Sequence, residues 1–308
     1  MAEIAIRCSG LVKRYEDVLA VDGIDLEVRR GECFGLLGPN GAGKTTTVEI
    51  FEGLLEADAG EVQVLGRSWK DGDYDLRERL GVTLQETQFV DKLTVLETLT
   101  LFRSFYRSGP EPEKVLRLVR LEEKANAWVR KLSGGQRQRL SVATALVGEP
   151  EILFLDEPTT GLDPHSRRQI WEVIGRFRAR GGTVLLTTHY MEEAQRLCDR
   201  VAIIDHGHVI ALDTPARLIA SLGAEHVVEF QAEPLPEMDP LRAMQDVTSL
   251  RVEDGAVSLT VGHVHRAVPA LLEELQRQGR SLTRLATHHA TLEDVFVNLT
   301  GRHLEEPE

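Results

Sequence analysis

The stretch "GLLGPNGAGKTTTVEI" has the residue types and spacing of a phosphate cradle. Gly38, Gly43, Lys44 and Thr45 fit G-x-x-x-x-G-K-[ST], directly after an apolar run and at the opening of a helical one. Glycines let the backbone curl until successive N–H groups point at phosphate oxygens, and a helix N-terminus adds positive potential. Lys44 then reaches the outer phosphates, and the Thr45 hydroxyl suits Mg²⁺. A plain glycine-rich turn does not account for the flanking elements.

A phosphate loop says only that a nucleotide binds. The stretch "EILFLDEPTTGLDP" narrows the chemistry. Four apolar residues put Asp156 at the carboxyl end of a buried strand, where a parallel sheet places its ligands and a carboxylate reaches an ion on Thr45. Glu157 follows at once, and because the chain turns at a strand's end, both carboxylates can face one pocket. The first suits metal binding. The second suits orienting and deprotonating the water that attacks a γ-phosphate, against the alternative of a surface acid before Pro158.

Further residues stand where chemistry is possible but not required. His189 ends the strand "TVLLTTH" in the same carboxyl-end position as Asp156, and Gln85 closes "GVTL" in a like place. Tyr15 either stacks on an adenine or packs. Asp163, ahead of Pro164, reads as the N-cap of a helix with proline in its first turn. In "KLSGGQRQRL", Ser133 and Gln136 form an S-x-x-Q capping box around Gly134 and Gly135, leaving helix amides that suit an anion. A plain cap is the local alternative, and a chain with one phosphate loop has no evident need of another.

To position these residues, short apolar strands alternate with amphipathic helices from residue 1 to about 220, the pattern of a mostly parallel, helix-covered sheet. Strands are expected at Cys33 to Leu37, Gly81 to Leu84, Ile152 to Leu155, Val184 to Thr187 and Val201 to Ile204. Ile24, Leu26 and Val28 alternate toward a turn at Arg30 and Gly31, which predicts an antiparallel strand in a smaller β-region. From Thr94 to Leu146 the pattern turns helical, as an insertion: Thr94 and Glu97 make a capping box, Pro112 starts a helix, and Gly148 with Pro150 closes another.

A boundary is expected near Gly223, giving a nucleotide-binding domain over 1–222 and a small α+β domain over 223–308. The second begins with a strand around Val227 to Phe230, then a hairpin joined at Asp254 and Gly255. Next comes a helix with Val268, Leu271, Leu272 and Leu275 on its apolar face. A last helix, capped by Thr291 and Asp294, ends at Gly301. His263, His265, His288 and His289 lack cysteine or carboxylate partners at ligand spacing in the sequence and read as solvent-facing polar residues.

The chain has 308 residues, enough for one large domain with an appendage. Acidic residues outnumber basic ones, 49 to 36, and no polybasic run is present, which argues against a nucleic-acid partner. Its three cysteines, Cys8, Cys33 and Cys198, are far apart, as in a reducing cytoplasm rather than a disulfide framework or zinc site. No stretch approaches the ~20 apolar residues that a membrane-spanning helix needs, and no signal peptide opens the chain. A role at a membrane therefore requires a separate partner.

Taken in order, Tyr15, "GPNGAGKTT", Gln85, "LSGGQ", "LFLDE", "GLD" and His189 resemble the motif set of an ABC-type ATPase across residues 1 to about 220. The resemblance implies that Tyr15 stacks on adenine, and that Gly38, Pro39, Asn40, Gly41, Ala42, Gly43, Lys44, Thr45 and Thr46 hold the phosphates of ATP and Mg²⁺. It implies further that Gln85 senses the metal and water, that Asp156 binds Mg²⁺, that Glu157 is the general base and that His189 contacts the γ-phosphate. Ser133, Gly134, Gly135 and Gln136 would face the ATP of a second copy, with Asp163 in the loop that meets it. Two subunits, packed head to tail, would enclose two ATP molecules.

Within that family, "TTHYMEEAQRLCDRVAIIDHGHVIALDTP" and "TLEDVFVNLTG" resemble the drug-resistance and lipid-exporter branch, the daunorubicin-resistance-like ATPases that carry a short carboxy-terminal domain. One departure is the full "LSGGQRQR", where many members of that branch have a shorter "SGG" followed by Met. The expectation is an export ATPase on the cytoplasmic face of a membrane, docked on a separate permease through the groove beside Gln85 and the helices from Leu93 to Tyr106. Apolar residues there are more numerous than one buried face needs; the alternative is that all of them fill the helical core. Two rivals fit less well. An ABC-type protein acting on ribosomes or DNA usually has two cassettes, long coiled coils or zinc modules, and a nucleotide-binding kinase needs a phosphoacceptor site.

Overall fold

The computed structural model describes residues 3–69, 74–83, 88–253 and 255–301. They form two compact units, Met1–Leu212 and Asp213–Glu308. In chain order the first contains β1 (Ile4–Tyr15), β2 (Val18–Arg29), β3 (Cys33–Leu37), α1 (Lys44–Phe51), β4 (Ala59–Val64), α2 (Tyr74–Arg77), β5 (Leu80–Thr83), α3 (Val95–Arg103), α4 (Pro112–Leu118) and α5 (Gly134–Leu146). It continues with β6 (Ile152–Asp156), α6 (Pro164–Ala179), β7 (Thr183–Thr188), α7 (Met191–Leu197), β8 (Arg200–Asp205) and β9 (His208–Asp213).

The main sheet has the order β5-β6-β7-β3-β8-β9. β3 pairs parallel with β7 and β8, and β6 pairs parallel with β7 and β5. Every residue of β3, β6 and β7 is buried, so these strands read as near-continuous apolar runs rather than alternating ones. Only His206 and Gly207 separate β8 from its neighbour β9, a connection short enough only for an antiparallel hairpin. The register sets Leu37 beside Thr188 and Asp156 beside Thr187, which brings the carboxyl ends of β3, β6 and β7 to one edge.

The antiparallel β-region is the sheet β2-β1-β4, whose Ile24, Leu26 and Val28 share a core with Ile6 and Leu11 of β1 and with Val48, Ile50 and Phe51 of α1. Alternation along β2 is what lets one face bury and the other meet water. The helical insertion holds α3, α4 and α5. At its start the Thr94 hydroxyl accepts from the Glu97 N–H while Glu97 accepts from the Thr94 N–H. Pro112 opens α4. Of the expected strand Gly81 to Leu84, Leu84 lies outside the described residues.

The second unit contains α8 (Pro215–Ala220), β10 (His226–Glu233), α9 (Met238–Arg242), β11 (Val247–Glu253), β12 (Ala256–Val261), α10 (Val264–Arg277), β13 (Ser281–His289) and α11 (Leu292–Thr300). α8 packs on α11, which is why the compact unit starts ahead of the punctuation change at Gly223. Its antiparallel sheet, β11-β12-β10-β13, packs Val228, Phe230 and Leu259 against Ala267, Leu271 and Leu275 of α10. Leu272, expected on that face, is exposed, because the buried stripe follows a spacing of four from Ala267. Of the expected hairpin turn, Asp254 lies outside the described residues, while Glu253 pairs with Ala256 across it. Two of the four histidines have a carboxylate neighbour brought from distant sequence, and both side chains are exposed: His263 Nδ1 lies 3.1 Å from Asp246, and His288 Nε2 lies 3.7 Å from Glu229.

Candidate nucleotide site

The chain leaves β3 at Leu37 and enters a loop whose glycines are required by close approach. A Cβ on Gly38 would lie 2.2 Å from the Ile204 carbonyl oxygen, and one on Gly43, at φ 99°, 2.2 Å from that of Ala20. The loop is therefore wedged between the backbones of β8 and β2. Gly43 is also the N-cap of α1 and offers no side-chain cap, so the first-turn amides stay available to an anion. Within the loop, Ala42 is buried while Asn40 and Gly41 are exposed.

Lys44 donates from Nζ to the carbonyls of Gly38 at 2.8 Å and Pro39 at 2.9 Å. Burial lowers its pKa, while the carboxylates of Glu157 and Asp156 act in the opposite direction. A desolvated ammonium next to uncapped amides fits the phosphates of a nucleotide. The Thr45 hydroxyl donates to Asp156 Oδ2 at 3.4 Å, an oxygen donor pair of the kind Mg²⁺ takes. Thr47 secures the helix start from the other side by donating to the Gly43 carbonyl at 2.8 Å.

Asp156 ends β6 and accepts a short bond from the Thr187 hydroxyl, which in turn accepts from the Glu157 N–H at 3.0 Å. Glu157 has φ 45°, a left-handed turn that brings successive carboxylates to one side where a continuing strand would send them apart. Its Oε1 lies 3.2 Å from His189 Nδ1, and its Oε2 accepts from the Thr160 hydroxyl at 3.0 Å. The hydrogen bond from His189, against the opposing effect of burial, holds the Glu157 carboxyl below the usual range. His189 follows β7 directly, with its ring 4.2 Å from that of Tyr190.

Lys44, Thr45, Asp156, Glu157 and His189 thus gather at one end of the sheet. Ser133 and Asp163 form a second group. The Ser133 capping box is complete, with Gln136 N–H donating to Ser133 Oγ at 3.3 Å and Ser133 N–H donating to Gln136 Oε1 at 3.0 Å. Asp163 Oδ1 accepts from the His165 and Ser166 N–H groups at 2.9 and 3.0 Å, and Ser166 donates from Oγ to Asp163 Oδ2 at 2.6 Å. A Cβ on Gly135 would lie 2.3 Å from that same Ser166 Oγ, so α5 and α6 start in direct contact. Gly134 faces open space.

Tyr15 stands exposed at the end of β1 with the Lys13 ammonium 5.7 Å from its ring centroid. Gln85 lies outside the described residues. Sequence reasoning passed over Ser166, Thr187 and Thr188, although polar residues closing the buried run "TVLLTT" are a signal in themselves: a buried hydroxyl needs a partner. Glu52, at the end of α1, went unnoticed too. Burial and the nearby Asp156 push its carboxyl up to about 8.

The ABC transporter family model matches residues 21–160. A Nod factor export ATP-binding protein I from Rhizobium sp. (strain N33) is 40% identical over 311 residues, covering 99% of this chain and 100% of the relative. One of the same description from Cupriavidus pinatubonensis (strain JMP 134 / LMG 1197) is 43% identical over 299 residues, covering 96% and 90%. Among solved structures, an ATP-binding subunit of an ABC transporter superposes with a TM-score of 0.65 at 28% identity, over 71% of this chain and 93% of that one. A bacterial ABC transporter cassette, solved as a dimer, gives 0.62 at 28%, over 68% and 98%. With a glycine cradle, a buried lysine and two carboxylates at one sheet edge, and relatives matched end to end, the chain belongs to the ABC transporter ATP-binding family and is an ATPase.

Proposed function

We propose that this chain is the ATP-hydrolysing half of an exporter, working as a head-to-tail homodimer on the cytoplasmic face of a membrane. Gly38 to Thr46 of one copy and Ser133 to Gln136 of the other enclose each ATP, with Tyr15 on the adenine and Asp163 at the subunit contact. Thr45 and Asp156, with Gln85, hold Mg²⁺, which when bound neutralises charge on the phosphate oxygens. Glu157 takes the proton of the attacking water, and His189 is placed to exchange its contact with Glu157 for one with the γ-phosphate. The observation that carries this is the 3.2 Å pairing of Glu157 with His189, on the sheet edge where Lys44 lies buried.

No helix among the described residues is long and apolar enough to cross a membrane. Docking on a permease falls to the start of the insertion, where Phe102 stands edge to face with Phe105 at 5.9 Å and with Phe89, just ahead of it in the chain, at 6.1 Å, and Leu101 and Phe105 are exposed. The relatives' description as export proteins supports the direction of transport. The drug-resistance and lipid-exporter branch, with residues 223–308 as its accessory domain, rests on the closing motif "TLEDVFVNLTG". To test the whole, the host membrane is solubilised with the Glu157→Gln variant and ATP present, and co-purifying proteins are identified. A membrane-embedded protein is expected, and its absence in both variant and wild type would overturn the transporter role.

A further inference from the structure

Glu193, on α7, is 0% exposed and is not among the residues assigned to phosphate or metal. The Trp171 indole of α6 donates to its Oε1 at 2.8 Å. The side chains of Thr188 and Thr159 lie beside the same carboxyl, whose Oε2 accepts no hydrogen bond among the described residues, and the Arg167 guanidinium adds positive charge. Each of these neighbours leads back to the reacting groups. The Thr188 hydroxyl accepts from the Tyr190 N–H at 2.9 Å, a bond that spans His189. Arg167 lies over the Tyr190 ring at 4.4 Å. Thr159 adjoins Thr160, whose hydroxyl holds Glu157 at 3.0 Å.

We propose that Glu193 is a positioning residue for hydrolysis, fixing the His189 turn and the Thr159–Thr160 segment against one carboxyl so that His189 and Glu157 keep their alignment. A hydrocarbon would fill this site at less desolvation cost if packing were the only need, since a carboxyl with Oε1 bonded to Trp171 and Oε2 unpaired is costly to bury. The backbone turn that carries His189 is held at Tyr190, whose N–H donates to Thr188 and whose ring lies under Arg167. Small losses of alignment between a base and its neighbours lower the chemical step more than they lower binding.

The inference rests on hydrolysis by this site, so wild-type turnover is the control: a wild type without turnover removes the ATPase role itself. In the full-length chain, Glu193→Ala is expected to lower kcat about tenfold or more while ATP affinity stays within about threefold. Glu193→Gln keeps the oxygen that accepts from Trp171 and is expected within about threefold of wild-type kcat. Trp171→Phe keeps the ring and loses the donor; it should fall between the two and decides the matter if Glu193→Ala does not fold. Wild-type kcat in Glu193→Ala, or in Trp171→Phe, would overturn the proposal. So would a Gln variant as impaired as the Ala one, or a loss appearing equally in ATP affinity, since those mark a role in charge or in overall stability.

Discussion

Glu157 combines a left-handed backbone, a partner in His189 and a second bond from Thr160, so its carboxylate is both aimed and kept ionised. Replacing it with Gln should leave ATP affinity near wild type and lower kcat by about 10²–10⁴, the usual contribution of a positioned base. Single-turnover hydrolysis checks this, and wild-type turnover would remove Glu157 from the base role. Its pKa is lowered on folding, so the ionised form is favoured above the ordinary value of 4.5 and lost only as pH falls through the lower folded value. Turnover should therefore show no acid limb from Glu157 between about pH 7 and 5.5. Glu52 has the opposite sign. With a folded pKa raised to about 8, the protein binds a proton there that the unfolded chain releases above 4.5, so stability falls as pH rises between those values. Glu52→Gln should melt higher than wild type near pH 8 and about equally near pH 4.5, as thermal scans at the two pH values would show.

At the scale of elements, the start of α5 is fixed by contact rather than by capping alone. Gly135→Ala would push a methyl into Ser166, an overpacking cost of about 1–3 kcal/mol, and Ser166→Gly should restore part of the lost melting temperature. No rescue would mean that the strain lies elsewhere. The strands that carry the site were legible because β3, β6 and β7 are buried on both faces and write themselves as apolar runs, and the Ser133, Thr94 and Thr291 caps were legible because both halves of each box lie three residues apart. What stayed hidden depends on long-range packing. β13 is exposed along most of its length and has no period-two apolar signal, and Glu193 looks like any charged helix residue until Trp171, 22 positions away, is set against it.

For the molecule as a whole, the decisive expectation is that one chain is an incomplete enzyme. Ser133→Arg should bind ATP as an isolated chain and fail to hydrolyse it; mixed with Lys44→Ala, it should regain at most one working site per dimer. Loss of ATP binding by the lone Ser133→Arg chain would place that segment in its own chain's site. In the proposed dimer, the contact of Gly135 with Ser166 has a consequence of its own. Ser166 caps against Asp163, so the two surfaces offered to a second copy are joined by one hydroxyl and form a single preformed rim. Association then has little ordering entropy to overcome at that rim, and the free energy of closing is left to depend on what lies between the two copies, which is ATP.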